Sequence, residues 1–112
     1  MSCEIIPTPI FNRELKRLSK RHRSLKSDIE NLKVKLHQNP LLGTPLGRNL
    51  RKIRLPISSK QRGKSGGARV ISYVVALEVD SKVLLLTIYD KADRSSISEQ
   101  ELAALLQANH LI

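Results

Sequence analysis

Residues 68–89 read ARVISYVVALEVDSKVLLLTIY, and this segment decides the fold. It is rich in β-branched and aromatic residues, which favour strands, and the polar pair Asp80-Ser81 interrupts it. The sequence therefore predicts two strands, Ala68–Val79 and Lys82–Tyr89, joined by a tight hairpin at that pair. Because both strands are apolar on both faces, we expect them to be central strands covered at least in part on each side.

A strand with one basic face precedes this hairpin. Residues 50–57 alternate, with Ile53, Leu55 and Ile57 on one face and Lys52 and Arg54 on the other. This alternation predicts a half-buried strand. Residues 40–47, which contain two prolines and two glycines, predict a loop, and residues 58–67 predict a second, polar loop.

Helical spacing governs the N-terminal part of the chain. Residues 10–39 contain no Gly or Pro, and apolar side chains recur at Phe11, Leu15, Leu18, Leu25, Ile29, Leu32 and Leu36. The apolar stripe lapses at residues 19–24, so we predict two helices that break near His22–Ser24. Thr8 and Pro9 suit the start of the first helix, and Ser24 suits the start of the second.

The two ends of the chain complete the predicted fold. Cys3–Ile6 is a short apolar strand, and Ser98 with Glu101 has the spacing of a capping box before a short amphipathic helix. The whole predicts one α+β domain over residues 1–112. In it, an N-terminal strand and a helical hairpin pack on a small, mainly antiparallel sheet, and a short C-terminal helix follows.

The charge is concentrated in the first two-thirds of the sequence. The net charge is +10, residues 11–69 carry 17 Lys/Arg against 3 Asp/Glu, and no Asp or Glu lies between residues 31 and 77. This imbalance predicts a polyanionic partner. Three aromatic residues, Phe11, Tyr73 and Tyr89, are too few for a base-stacking platform or a membrane-interface helix. With no signal peptide or membrane span in the sequence, we expect a cytoplasmic protein.

Several kinds of chemistry fit the sequence poorly. Gly63-Lys64-Ser65 lacks the spacing of a nucleotide-binding loop and leads into a strand instead of a helix. The three histidines do not converge in the predicted fold, and we expect them to be solvated helix residues. The carboxylates are scattered, with Asp90 and Asp93 expected as turn residues. We predict no metal and no cofactor.

Cations at the ends of the predicted strands offer a different chemistry. Lys52 and Arg54 share a strand face, Arg69 begins the next strand, and Lys91 and Arg94 follow the last one. An antiparallel sheet can bring these positions to one face. Together they predict phosphate recognition and, because guanidinium stabilises charge that develops on a phosphate, phosphoryl transfer.

The sequence resembles the RelE/ParE toxin superfamily of bacterial type II toxin–antitoxin systems, and within it the HigB-like ribosome-dependent messenger-RNA interferases. The resemblance rests on the helical hairpin, on GKSGGARVISY at residues 63–73, and on LLLTIYDKADR at residues 84–94 followed by a short helix. It implies a toxin that cuts messenger RNA in the ribosome without metal, by attack of the RNA 2′-OH on the adjacent phosphate. It also implies an acidic antitoxin as partner.

The resemblance also implies roles for individual residues. Arg69, Lys91 and Arg94 correspond to catalytic positions, whereas RNA-positioning roles fall to Lys52, Arg54, Lys60, Arg62 and Lys64. The helical hairpin and the strand at residues 50–57 would contact ribosomal RNA. Some relatives carry a tyrosine near the start of the C-terminal element. Here residues 95–98 read SSIS, so either Lys91 acts as general base, or another residue does, or cleavage is weak.

The sequence also fits two other functions. A DNA gyrase inhibitor of the ParE type would share the fold without being a nuclease. A basic RNA-binding module without toxicity would share the charge. The cation cluster after the last strand favours the nuclease over the gyrase inhibitor.

Overall fold

The computed structural model describes residues 2–59, 66–76 and 80–112. These residues form five strands and three helices, in the order β1 (Ser2–Pro7), α1 (Pro9–Ser19), α2 (Leu25–Gln38), β2 (Thr44–Gly47), β3 (Leu50–Leu55), β4 (Ala68–Ala76), β5 (Asp80–Asp90) and α3 (Glu99–Ala108). The α+β fold predicted from the sequence is confirmed.

One mixed sheet organises the molecule, with strand order β1-β5-β4-β3-β2. β1 pairs with β5 in parallel, and the other neighbours are antiparallel. β4 and β5 are central, as predicted. The predicted turn at Asp80-Ser81 is wrong, because Ser81 pairs with both Ala76 and Cys3 inside the sheet. Partners on both sides satisfy the backbone there, and the connection at residues 77–79 lies outside the described residues.

The helical hairpin breaks at residues 20–24, which confirms the prediction. Thr8 precedes α1, and Pro9 occupies its first turn, where a missing N–H costs nothing. The Thr8 hydroxyl does not cap the helix. It donates instead to the carbonyl oxygens of Leu85 (2.8 Å) and Leu86 (3.3 Å), so α1 begins tied to β5.

Each face of the sheet is covered by helix. On one face the hairpin buries a core that includes Phe11, Leu18, Leu25, Ile29, Leu36, Leu55, Val70, Leu85 and Ile88. On the other face α3 buries a smaller core of Leu50, Ile71, Leu86, Tyr89, Leu102, Leu105 and Leu106. Fully burying one such side chain stabilises the fold by about 1.5–3 kcal/mol, so the larger hairpin core dominates.

One strand was not predicted from the sequence. Residues 44–47, predicted as loop, form the edge strand β2, which pairs with β3 from Thr44 opposite Lys52. Pro45 and Gly47 argue against a central strand, but an edge strand tolerates proline because one side of its backbone needs no partner. β3 itself ends at Leu55, two residues before the predicted end.

Gly43 and Gly47 form a matched pair for testing this edge. Both have positive φ (+106° and +89°), but a Cβ at Gly43 would lie 2.8 Å from the Lys52 carbonyl oxygen, whereas at Gly47 nothing lies within 4 Å. We expect Gly43→Ala to destabilise the protein by about 1–3 kcal/mol more than Gly47→Ala, because only the first adds a backbone clash to the conformational cost. Urea unfolding of both variants measures the difference, and equal losses would contradict the β2–β3 geometry.

Candidate phosphate-binding site

Arg54, Arg69 and Tyr89 lie side by side across three strands. Arg54 pairs with Arg69 between β3 and β4, and Arg69 pairs with Tyr89 between β4 and β5. Residues directly opposite one another in an antiparallel pair project to the same face, so these three form one row on the face that α3 covers in part. We call them the arginine–tyrosine row.

Arg69 is the buried member of the row. The residue is 6% exposed, and its Nη1 donates to the carbonyl oxygens of Gly66 (3.2 Å) and Ala68 (3.1 Å). Both partners are neutral and hold the guanidinium without cancelling its charge. Arg54, directly opposite, is exposed. Like charges facing each other across strands are unfavourable, so an anion bound between them would relieve repulsion.

Arg94 approaches the row from the segment after β5. Its guanidinium carbon lies 5.2 Å from the centre of the Tyr89 ring, within cation–π range. Its Nε donates to the Ser96 carbonyl oxygen (3.1 Å), and its Nη2 contacts Oε1 of Glu101 at 2.5 Å. Glu101 also accepts from the Ser98 backbone in the predicted capping box, which the structure confirms. The start of α3 therefore fixes the place of Arg94.

Tyr89 is the functional candidate that sequence reasoning missed. The residue is 5% exposed, and within residues 2–59, 66–76 and 80–112 its hydroxyl has no hydrogen-bond partner. Burial raises the pKa of the phenol, while the charges of Arg69 and Arg94 act in the opposite direction. The cross-strand pairing with Arg69 and the cation–π contact with Arg94 place both guanidiniums near this ring. In the sequence, Tyr89 is one apolar strand residue among many, and only the pairing with Arg69 marks it out.

Lys91 joins the same end of the sheet. Its backbone N–H donates to the Gly67 carbonyl oxygen (3.0 Å), so it lies beside the start of the strand that carries Arg69. Lys52 shares the face of Arg54 but pairs with Ile71, one row further along the strands. The fold thus gathers Arg54, Arg69, Lys91 and Arg94 and leaves Lys52 at the flank. Lys60, Arg62 and Lys64 lie outside the described residues.

The expectation is wrong for His22 and for Asp90, whereas Asp93 is an exposed turn residue, as predicted. The His22 side chain is only 13% exposed, and its Nε2 lies 2.8 Å from Oδ2 of Asp90, which is itself 2% exposed. Arg21 contacts both Asp90 and Asp93. His22 and Asp90 pack together because β5 ends where the turn between α1 and α2 crosses it, and Asp90 is the last residue of that strand. Separation in sequence, 68 residues between His22 and Asp90, hid the contact.

Two further features bear on the site. In the part of the chain that the structure describes, no three His, Cys, Asp or Glu side chains are grouped so that they could hold a metal ion. No helix among those residues has the length and apolar character that crossing a membrane requires.

The comparisons with known proteins agree with this architecture. A family model described as the RelE toxin of the RelE/RelB toxin–antitoxin system matches residues 6–112. The chain belongs to the RelE toxin family. It is therefore a toxin of a toxin–antitoxin system, and its family implies an antitoxin partner.

A solved structure supports the RelE fold. The chain is similar to a double arginine-to-alanine variant of Escherichia coli toxin RelE in the free state, with 15% identity and a TM-score of 0.55 over 85% of this chain and 90% of that one. No curated protein matches the sequence. The finer likeness to HigB stays a prediction.

The Arg94–Glu101 contact predicts a pH effect on α3. Hydrogen bonds from Arg94 and Ser98 lower the pKa of Glu101 from 4.5 to about 2. Because the folded pKa is the lower one, the stabilisation is complete above pH 4.5 and is lost as pH falls towards 2. We expect the coupling between Arg94→Ala and Glu101→Gln, measured by urea unfolding, to shrink between about pH 6 and pH 3. A coupling that does not change over this interval would contradict the contact.

Proposed function

We propose that this toxin is a ribosome-dependent endoribonuclease that cleaves translated messenger RNA without metal. The observation that carries the proposal is the arginine–tyrosine row with Arg94 above it. It presents guanidinium groups from β4 and from the segment after β5 at one end of the sheet. A phosphodiester is the anion in RNA that such a pair of planar cations fits best.

The proposed reaction is attack of the RNA 2′-oxygen on the adjacent phosphorus. The new bond joins the 2′-oxygen to phosphorus, and the bond from phosphorus to the 5′-oxygen of the next nucleotide breaks. The products are a 2′,3′-cyclic phosphate and a 5′-hydroxyl. Negative charge grows on the non-bridging oxygens in the transition state. Arg69, largely removed from water, and Arg94 would stabilise that charge, because electrostatic interactions strengthen where water is excluded.

Two protons must move in this reaction. One leaves the 2′-hydroxyl, and we assign its acceptance to Lys91 as general base. The other must reach the departing 5′-oxygen. The raised pKa of Tyr89 keeps its phenol protonated at neutral pH, so the phenol is a candidate donor close to both arginines.

The remaining cations would place the RNA. Lys52 and Arg54 would hold the message along the basic face of β3, beside the reacting phosphate, and Lys60, Arg62 and Lys64 would add to it. Basic residues of the hairpin would contact ribosomal RNA. The protein would act in the cytoplasm, and an acidic antitoxin would cover the same face, with charge complementarity making association fast.

Removal of the catalytic cations tests the mechanism. We expect Arg69→Ala and Lys91→Ala each to lower the rate of single-turnover cleavage of ribosome-bound message by about 100–1,000-fold, the loss usual for one transition-state contact. Lys82→Ala is the control, because Lys82 is an exposed cation near the opposite end of β5 and its removal changes the net charge equally. Full activity in both site variants would refute the assignment.

Induction of the toxin without its antitoxin separates the alternatives. We expect growth arrest together with codon-phased cuts in translated messages, mapped by primer extension. Arrest with DNA damage and intact messages would instead support a gyrase inhibitor. Absence of arrest, with RNA binding retained, would support a binding module.

Arg54 tests the positioning role separately from the chemistry. We expect Arg54→Ala to weaken binding to ribosomes and to reduce the slope of log affinity against log salt by about one, because one phosphate contact is lost. The rate at saturating toxin should change far less than in Arg69→Ala. An unchanged salt slope would show that Arg54 makes no phosphate contact with the RNA.

A further inference from the structure

The last residue of β5 is a buried carboxylate with partners on two sides. Asp90 is 2% exposed and lies 2.8 Å from Nε2 of His22 and 3.4 Å from Nη2 of Arg21, both in the turn between α1 and α2. Its Oδ1 accepts the backbone N–H of Ala92 at 2.9 Å. One carboxylate thus joins the hairpin turn to the segment that begins with Lys91.

A second contact holds that segment from its other side. Arg21 donates from Nη1 to Oδ1 of Asp93 (3.1 Å) and from Nη2 to Oδ2 (2.5 Å). The backbone carbonyl of Asp90 accepts the N–H groups of Asp93 (2.9 Å) and Arg94 (3.3 Å), which closes a tight turn. Lys91 therefore lies between two anchored aspartates, and Arg94 follows immediately. We call Arg21, His22, Asp90 and Asp93 the clamp.

The contact between Arg21 and Asp93 is between two groups that stay charged near neutral pH. The hydrogen bond from Arg21 lowers the pKa of Asp93, and the same bond raises the pKa of Arg21. Both groups therefore stay ionised over a wide range of pH. Burying a carboxylate as deeply as Asp90 costs free energy unless the group is hydrogen-bonded and paired. Removing its partners should therefore release the segment after β5 that the clamp holds.

We propose that the clamp, through Asp90, positions Lys91 and Arg94 for reaction with the phosphate bound at Arg69. This inference rests on the proposed nuclease function. We infer no contact of Asp90, His22 or Arg21 with RNA, and these residues act only through the segment after β5. A displacement of about 1 Å at a reacting group can cost about a hundredfold in rate, so the clamp would affect the chemical step more than binding.

The chain provides a matched control for Asp90. Asp28, on α2, is also a buried carboxylate (5% exposed) and accepts from the Ser24 hydroxyl, the Ser58 hydroxyl and the Ser58 backbone N–H. It joins α2 to the residues after β3, and among the described residues none of these hydrogen bonds reaches the segment after β5. Removing its charge should cost stability as Asp90→Asn does, while leaving Lys91 and Arg94 in place.

The experiment compares Asp90→Asn, Arg21→Ala and Asp28→Asn in the full chain. Arg21→Ala is included because Arg21 is about half exposed and its replacement leaves the buried carboxylate in place. We expect the first two variants to speed amide hydrogen exchange at residues 92–94 by about tenfold or more. They should also lower the saturating cleavage rate by about 10–100-fold, with the half-saturating concentration changed less than about threefold. Asp28→Asn should change neither exchange at these residues nor the saturating rate.

The two readouts separate failure of the inference from failure of the proposed function. Unchanged exchange at residues 92–94 in both clamp variants would overturn the inference whatever the activity. If Asp90→Asn and Arg21→Ala exchange faster at residues 92–94 but cleave at the same saturating rate as Asp28→Asn, the positioning role is overturned. If the unaltered toxin does not cut translated message at all, the proposed function fails. The catalytic part of the inference then fails as well. Hydrogen exchange still decides whether the clamp holds the segment after β5.

Discussion

The antiparallel pairing of β4 with β5 is the constraint on which the site depends. Its register places Arg69 opposite Tyr89 and Ala68 opposite Asp90. A β-bulge after Ile71 leaves Leu86 as an extra residue in β5, and this changes which face the following residues occupy. Leu85 faces the hairpin core, whereas Tyr89, four residues on, faces α3. In a regular strand the two would share a face, and Tyr89 would lie away from Arg69.

Much of the fold could be predicted because local patterns decide it. The gap in the apolar stripe between Leu18 and Leu25 predicts the hairpin break, and continuous apolar composition predicts that β4 and β5 are central. The edge strand β2 could not be predicted, because its Pro45 and Gly47 are equally typical of loops. The hairpin turn was misplaced because a polar pair can also begin a strand whose partners lie on both sides.

The candidate site could be predicted only in part, for a physical reason. Cations at the ends of predicted strands can be read from the sequence, so Arg69, Lys91 and Arg94 could be named and their convergence expected. Contacts that depend on register or on distant segments cannot be read in this way. The Tyr89 phenol, the cation above its ring and the His22–Asp90 contact all belong to this second kind. The same contacts show how a small domain can hold several positive charges together, since Glu101 and Asp93 each pair with one arginine.

The proposed reaction requires that an RNA 2′-oxygen attack its neighbouring phosphate at this basic face. The most direct measurement uses ribosome-bound message with one 2′-deoxynucleotide placed at the mapped cleavage position. We expect the unmodified message to be cut to leave a 2′,3′-cyclic phosphate and a 5′-hydroxyl, and the single deoxy substitution to abolish cleavage there. Cleavage of the deoxy-substituted message at the same bond would contradict it.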